Sequence, residues 1–107
     1  MKSNSNIYVD IDETICDYEY GANKRDYYLA RPIQINIDKI NKLYDQGHTI
    51  TYYTARGSTL VDQREEFTRL TIKQLNEWGC KYHSVSVGDK PPYDILICDK
   101  SRRIEEI

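Results

Sequence analysis

The feature that most restricts how this chain can fold is its alternation of short apolar runs with longer amphipathic stretches. Residues 7–11, Ile-Tyr-Val-Asp-Ile, are mostly β-branched or aromatic and give way to polar residues, as a strand reaching a sheet edge does. Ile33, Ile37, Ile40 and Tyr44, with Leu43 beside them, then recur at helical spacing. Pro32 can open that helix and Gly47 can stop it. Residues 50–53, Ile-Thr-Tyr-Tyr, predict a second strand ending at Thr54. A turn over residues 55–59 follows, where Ser58 or Thr59 can cap the next helix. Phe67, Leu70, Gln74, Leu75 and Trp78 make the stripe of that helix, with Gln74 its polar exception and Gly79 its stop. Residues 84–87 predict a third strand, Gly88-Asp89-Lys90-Pro91-Pro92 a loop, and residues 94–98 a fourth strand apolar enough for burial on both faces. Between the first strand and the first helix, residues 12–31 are polar and Tyr-rich without a helical period, which predicts a loop or small hairpin.

Strands alternating with helices predict an α/β domain with a mainly parallel sheet. At 107 residues, one domain over residues 1–107 is expected, with a single core and little room for a second module. The 39% hydrophobic and 30% charged content excludes global disorder. A net charge of −2 offers no electrostatic basis for DNA or RNA binding, although a local basic site can still hold a small anion. Cys16, Cys80 and Cys98 are odd in number and widely spaced, so reduced thiols are expected rather than a disulfide framework or zinc site. The polar start lacks an apolar signal core, and no run approaches the ~20 apolar residues of a membrane span. A cytoplasmic protein with no membrane partner is the expectation.

In such sheets ligands gather beyond the carboxyl ends of the strands. The polar residues ending these strands are Asp10 with Asp12, Thr54, Lys90 in the loop after the third strand, and Asp99. Two carboxylates two residues apart lie on one side of an extended chain. Held close, they need a compensating cation or hydrogen bonds. Mg²⁺ suits them, because it prefers hard oxygen ligands and keeps waters for a phosphate. Asp99 supplies a third carboxylate. Asp94 does not, because a strand separates it from Asp99 by roughly 16 Å at ~3.3 Å per residue.

These four pieces, in this order, resemble the haloacid dehalogenase (HAD) superfamily of phosphohydrolases. Asp10-Ile11-Asp12-Glu13-Thr14 is similar to its first motif, Asp-x-Asp-x-Thr; Thr54 in Tyr53-Thr54-Ala55-Arg56-Gly57 to its second; Lys90 to its third; and Asp99 to its fourth. The resemblance covers nearly the whole chain. It implies a Rossmann-like HAD core, three-layer α/β/α, with strand order 3-2-1-4 and no cap or a minimal one. It implies a Mg²⁺-dependent phosphomonoesterase in which Asp10 attacks phosphorus to give an aspartyl-phosphate. Asp12 would pass protons to the leaving oxygen and from the hydrolytic water, and its backbone carbonyl would bind the metal. Thr54 and Ala55 would contact the phosphoryl group, Lys90 would balance Asp10, and Asp99 would hold the metal with Asp10 and Asp12. Two departures stand out: Glu13 occupies a position where Gly is frequent, and Cys98 precedes Asp99 where a second acid is frequent.

Arg56 is expected either on the substrate's remote part or at the surface. Lys100 and Arg56 both compete with Lys90 for phosphate contact. His48 and His83 lack a ligand pattern and are expected to be structural or superficial, while Phe67 and Trp78 are expected in the core. Tyr-Thr-Ala-Arg-Gly, Trp78-Gly79 and Lys90-Pro91-Pro92-Tyr93-Asp94 are also similar to small proteins associated with capsule or lipopolysaccharide biosynthesis. A small phosphorylated substrate, a sugar or related metabolite, is therefore expected. With so little chain available for a cap, the site is open to a large substrate or is covered by a neighbouring subunit of a homo-oligomer. Two other readings remain. One is a nucleotide or nucleic-acid end phosphatase, disfavoured by charge. The other is a non-enzymatic phosphoacceptor resembling a receiver domain, or a phosphate-binding module. A receiver carries its accepting Asp after the third strand, whereas here that strand ends at Val87-Gly88.

Overall fold

The structure is a computed structural model that describes residues 5–21, 26–56, 64–88 and 95–97. Strand β1 (Asn6–Asp10) leads through a two-stranded hairpin, β2 (Cys16–Asp17) and β3 (Arg31–Pro32), into helix α1 (Gln34–Asp45). Strand β4 (Thr49–Thr54), helix α2 (Arg64–Glu77), and strands β5 (Ser84–Val87) and β6 (Ile95–Ile97) follow. The elements are those the periodicity predicts, and the polar stretch after β1 is indeed a small hairpin. It also carries a short 3-10 turn, Tyr27–Leu29, capped by the Asp26 side chain.

The main sheet has the order β5-β4-β1-β6, and its pairings are parallel. Ile7 and Val9 lie beside Ile50 and Tyr52 on one flank and beside Ile95 and Ile97 on the other. Strand alternation puts Ile7, Val9, Ile50, Tyr52 and Ile97 on one face, and all five are buried. Ile37, Ile40 and Leu43 of α1 and Leu75 of α2 join the same core. Each such side chain contributes about 1.5–3 kcal/mol on leaving water.

Both helices end on a left-handed glycine. Gly47 (φ 98°) and Gly79 (φ 75°) each lie between two closing bonds. His48 N–H donates to Leu43 and Gly47 N–H to Tyr44 after α1; Cys80 N–H donates to Leu75 and Gly79 N–H to Asn76 after α2. This pair of bonds satisfies carbonyls that a helix end otherwise leaves open. Helix α1 begins at Gln34 rather than at Pro32, because Ile33 N–H donates to Ile15 and holds Ile33 extended. Asn41 bonds to Gly79 and Lys81, and Tyr44 stacks on His83 at 4.7 Å. These ties place α1 beside the end of α2 on one face of the sheet. The second helical layer expected from the sequence has no counterpart among the described residues.

Both histidines are structural. His48 is buried and its Nδ1 accepts from Ser5 N–H; His83 Nδ1 accepts from Ile50 N–H. Trp78 packs against the core, and Phe67 meets Tyr27 edge-on at 5.3 Å. Among the described residues no helix is long and apolar enough to cross a membrane.

Candidate active site

Asp10 is the last residue of β1, and its sheet partner Tyr53 precedes Thr54, the last residue of β4. Two of the residues singled out in the sequence therefore lie at the carboxyl edge of neighbouring strands, whose axes run about 4.8 Å apart. Beyond Asp10 the chain turns tightly. Ile11 N–H still bonds to Tyr53, while Thr14 and Ile15 N–H fold back onto Ile11. Glu13 sits in that turn at φ 68° and donates its N–H to Cys16. A left-handed residue is cheapest as glycine, and this turn is made with glutamate instead.

The Asp12 carboxylate is held by oxygen and nitrogen donors from three other residues. Thr54 Oγ1 donates to its Oδ2 at 2.7 Å, and the Tyr18 hydroxyl donates to its Oδ1. Arg56 adds Nε at 3.2 and 3.3 Å and Nη2 at 2.9 Å. Burial acts to raise the pKa of Asp12, but the Arg56 guanidinium, with the Tyr18 and Thr54 hydroxyls, outweighs it and holds the carboxyl below its usual value. Burial likewise acts to lower that of Arg56, and Asp12 reverses it. The pair is ionised. Cys16, buried beside Asp12, is pushed up to about 12, first by burial and then by the Asp12 charge. It is an inert thiol.

The position of Arg56 corrects the surface role that its sequence context allowed. Its side chain is fully buried, with an ion pair to Asp12 and Tyr27 over its guanidinium. Ala55, by contrast, is exposed. Lys90, Asp99, Cys98, Asp94 and Lys100 lie outside the described residues, as do Ser58 and Thr59. The structure thus brings together Asp10, Asp12, Thr54 and Arg56. It adds Tyr18, Thr71 and Gln74, which were not selected from the sequence as site residues. Only Gln74 left a trace there, as the polar break in an apolar stripe. Tyr18 left none, because its reach to Asp12 depends on the hairpin folding back.

Thr14 is fully buried, and its hydroxyl has no hydrogen-bond partner among the described residues. An open hollow of about 260 Å³ lies on the hairpin, lined by Tyr18, Glu19, Tyr20, Asp26, Leu29 and Arg31. Tyr18 is the residue shared between that hollow and the Asp12 network. For a hard divalent cation, the first motif offers the Asp10 carboxylate and the Asp12 backbone carbonyl. The Asp12 carboxylate oxygens already accept from Thr54, Tyr18 and Arg56. No group of three or more metal-ligating side chains forms among the described residues.

No protein-family profile matches the chain, and no curated protein matches it. Among solved structures it is similar to a structural-genomics protein from Vibrio cholerae, with a TM-score of 0.66 and 21% identity over 80% of this chain and 72% of that one. At that identity the likeness speaks to the fold alone.

Proposed function

We propose that the chain is a phosphomonoesterase of the haloacid dehalogenase type, acting through Asp10 on a phosphorylated sugar or related small metabolite. The observation that supports this best is the meeting of Asp10, Asp12 and Thr54 at the carboxyl edge of β1 and β4, in a parallel sheet of order β5-β4-β1-β6.

In this reading an Asp10 oxygen attacks phosphorus, the bond from phosphorus to the leaving oxygen breaks, and an aspartyl-phosphate forms. Water then cleaves the acyl-phosphate and frees inorganic phosphate. Asp12, ionised in the resting site, takes the proton of the hydrolytic water in the second half, and that proton, carried over on Asp12, goes to the leaving oxygen of the next turnover. Thr54 turns its hydroxyl from Asp12 to a phosphoryl oxygen, and Asp12 stays anchored by Arg56 and Tyr18. The exposed turn at Ala55 lies beside the entering phosphate, and Lys90 balances the charge on Asp10. The Asp10 carboxylate, the Asp12 backbone carbonyl and Asp99 would hold Mg²⁺, which supplies positive charge to the phosphoryl oxygens when bound. The hollow beside Tyr18 receives the remainder of the substrate. Its tyrosine faces and the Glu19 and Asp26 carboxylates suit a hydroxyl-rich ring better than a polyanion.

The deciding assay follows Mg²⁺-dependent phosphate release across sugar phosphates, nucleotides and an aryl phosphate, with Asp10→Asn in parallel. Turnover by the natural chain and its loss in Asp10→Asn is the expected result. Silence on every substrate would overturn the enzyme reading. Turnover surviving Asp10→Asn would displace the nucleophile.

A further inference from the structure

Gln74 interrupts the apolar stripe of α2, yet it is buried. A buried amide is costly unless its hydrogen bonds are met. Two partners meet them: Oε1 accepts from Arg56 Nη1 at 2.7 Å, and Nε2 donates to the Tyr27 carbonyl at 2.6 Å. Thr71, one turn earlier on the same face, accepts from the same Nη1 at 3.2 Å. The remaining Arg56 donors go to Asp12 and to the Tyr18 oxygen at 3.1 Å. Each of the five N–H groups of a guanidinium therefore has an acceptor inside the protein, and none is left for a substrate oxygen.

The guanidinium holds Asp12 instead. Asp12 stands on a tight turn rather than in a strand. Without Arg56, its carboxylate would be fixed by the Thr54 and Tyr18 hydroxyls and the weakly donating Cys16 thiol, each on a single turning bond. A planar fork fixes the plane of a carboxylate as a hydroxyl cannot. Thr71 and Gln74 of α2 hold the fork from one side, and Tyr18 and Tyr27 of the hairpin hold it from another. We propose that Arg56, braced by Gln74 and Thr71, is a positioning residue that sets the plane of the Asp12 carboxylate. Helix α2 and the hairpin thereby jointly decide where the second carboxylate of the site points. The proposal rests on the assignment of Asp12 to the reaction made above.

Arg56→Lys keeps the charge and removes the fork. Gln74→Met keeps the volume and removes the brace without touching Asp12. Misplacing a reacting group by an ångström costs up to about 100-fold. We therefore expect kcat to fall about 100-fold in Arg56→Lys and about tenfold in Gln74→Met, with KM within twofold on every substrate turned over. A KM that rises in step with the substrate's remote group, at constant kcat, would make Arg56 a substrate contact and overturn the proposal. Unchanged kcat and KM in both variants would reduce the network to a support of the fold and also overturn it. A second readout needs no turnover: the carbon-13 signal of the Asp12 carboxyl at one fixed pH. It should shift in both variants. If the natural chain releases no phosphate, the enzyme reading fails, and this signal still decides whether the brace controls Asp12. An Asp12 signal unmoved in folded Gln74→Met and Arg56→Lys overturns it.

Discussion

Asp12 concentrates the electrostatics of this protein at the residue scale. A buried ion pair is a weak source of net stability, yet removing one partner leaves an uncompensated charge and costs about 3–5 kcal/mol. Arg56→Met should therefore destabilise the fold by about that much in urea titration, and Asp12→Leu should remove part of the penalty when the two are combined. The pH dependence has a definite sign. Because the folded carboxyl lies below its usual value, the unfolded chain binds the extra proton. The contribution is thus present above the unfolded carboxylate pKa, about 3.9, and is lost as pH falls below it through the folded value. Stability should fall on that acid limb in the natural chain, and the fall should be shallower in Asp12→Leu/Arg56→Met. Thr14 makes the opposite point. A buried hydroxyl without a partner carries a desolvation penalty of about 1–3 kcal/mol, so Thr14→Val should leave the melting temperature unchanged or raise it. A loss of stability would show that the hydroxyl has a partner in solution.

At the scale of elements, the two helices differ in how well their sequence announces them. Helix α1 has a clean apolar stripe, and its buried face, Ile37, Ile40 and Leu43, is the predicted one. Helix α2 buries Thr71 and Gln74 beside Leu75, so part of its inward face serves a polar network rather than the core. Both end in the same glycine-closed motif, which permits a clean measurement. A Cβ built on Gly79 meets nothing within 4 Å, so Gly79→Ala tests backbone conformation without steric clash. It should cost about 1 kcal/mol, read as a lowered denaturation midpoint. The hairpin is attached through Tyr18, Tyr27 and the Tyr28 bond to Glu66. Its cross-strand ion pair, Arg31 with Asp17, is exposed and contributes little.

Across the whole molecule, stability should be graded from the sheet outward. Strands β1 and β4 each have a partner on both sides and carry the core residues Val9 and Tyr52, both fully buried. The hairpin has two-residue strands, and β3 is exposed. Amide hydrogen exchange should be slowest in β1 and β4 and clearly faster in residues 26–32, since local opening follows buried contact. Equal protection in both regions would mean that the hairpin unfolds only with the sheet.

Much of this protein follows from local pattern. Strand runs, helical stripes and terminal glycines are short-range signals, and they sufficed for the α/β class, the parallel sheet and the placing of Asp10 and Thr54 at strand ends. The motif order carried the expectation that these residues belong to one site. Arg56 could not be read that way. A lone arginine in a turn is ordinarily solvated, and its burial depends on four partners brought in from separate parts of the chain: Asp12, Tyr18, Thr71 and Gln74. Burying a guanidinium is favourable only when its donors are met together, and that condition is created by tertiary packing. Gln74 shows the boundary between the two kinds of information. Its place on an apolar face was visible in sequence, but the partners that make it tolerable there exist only once α2, the hairpin and the end of β4 have come together.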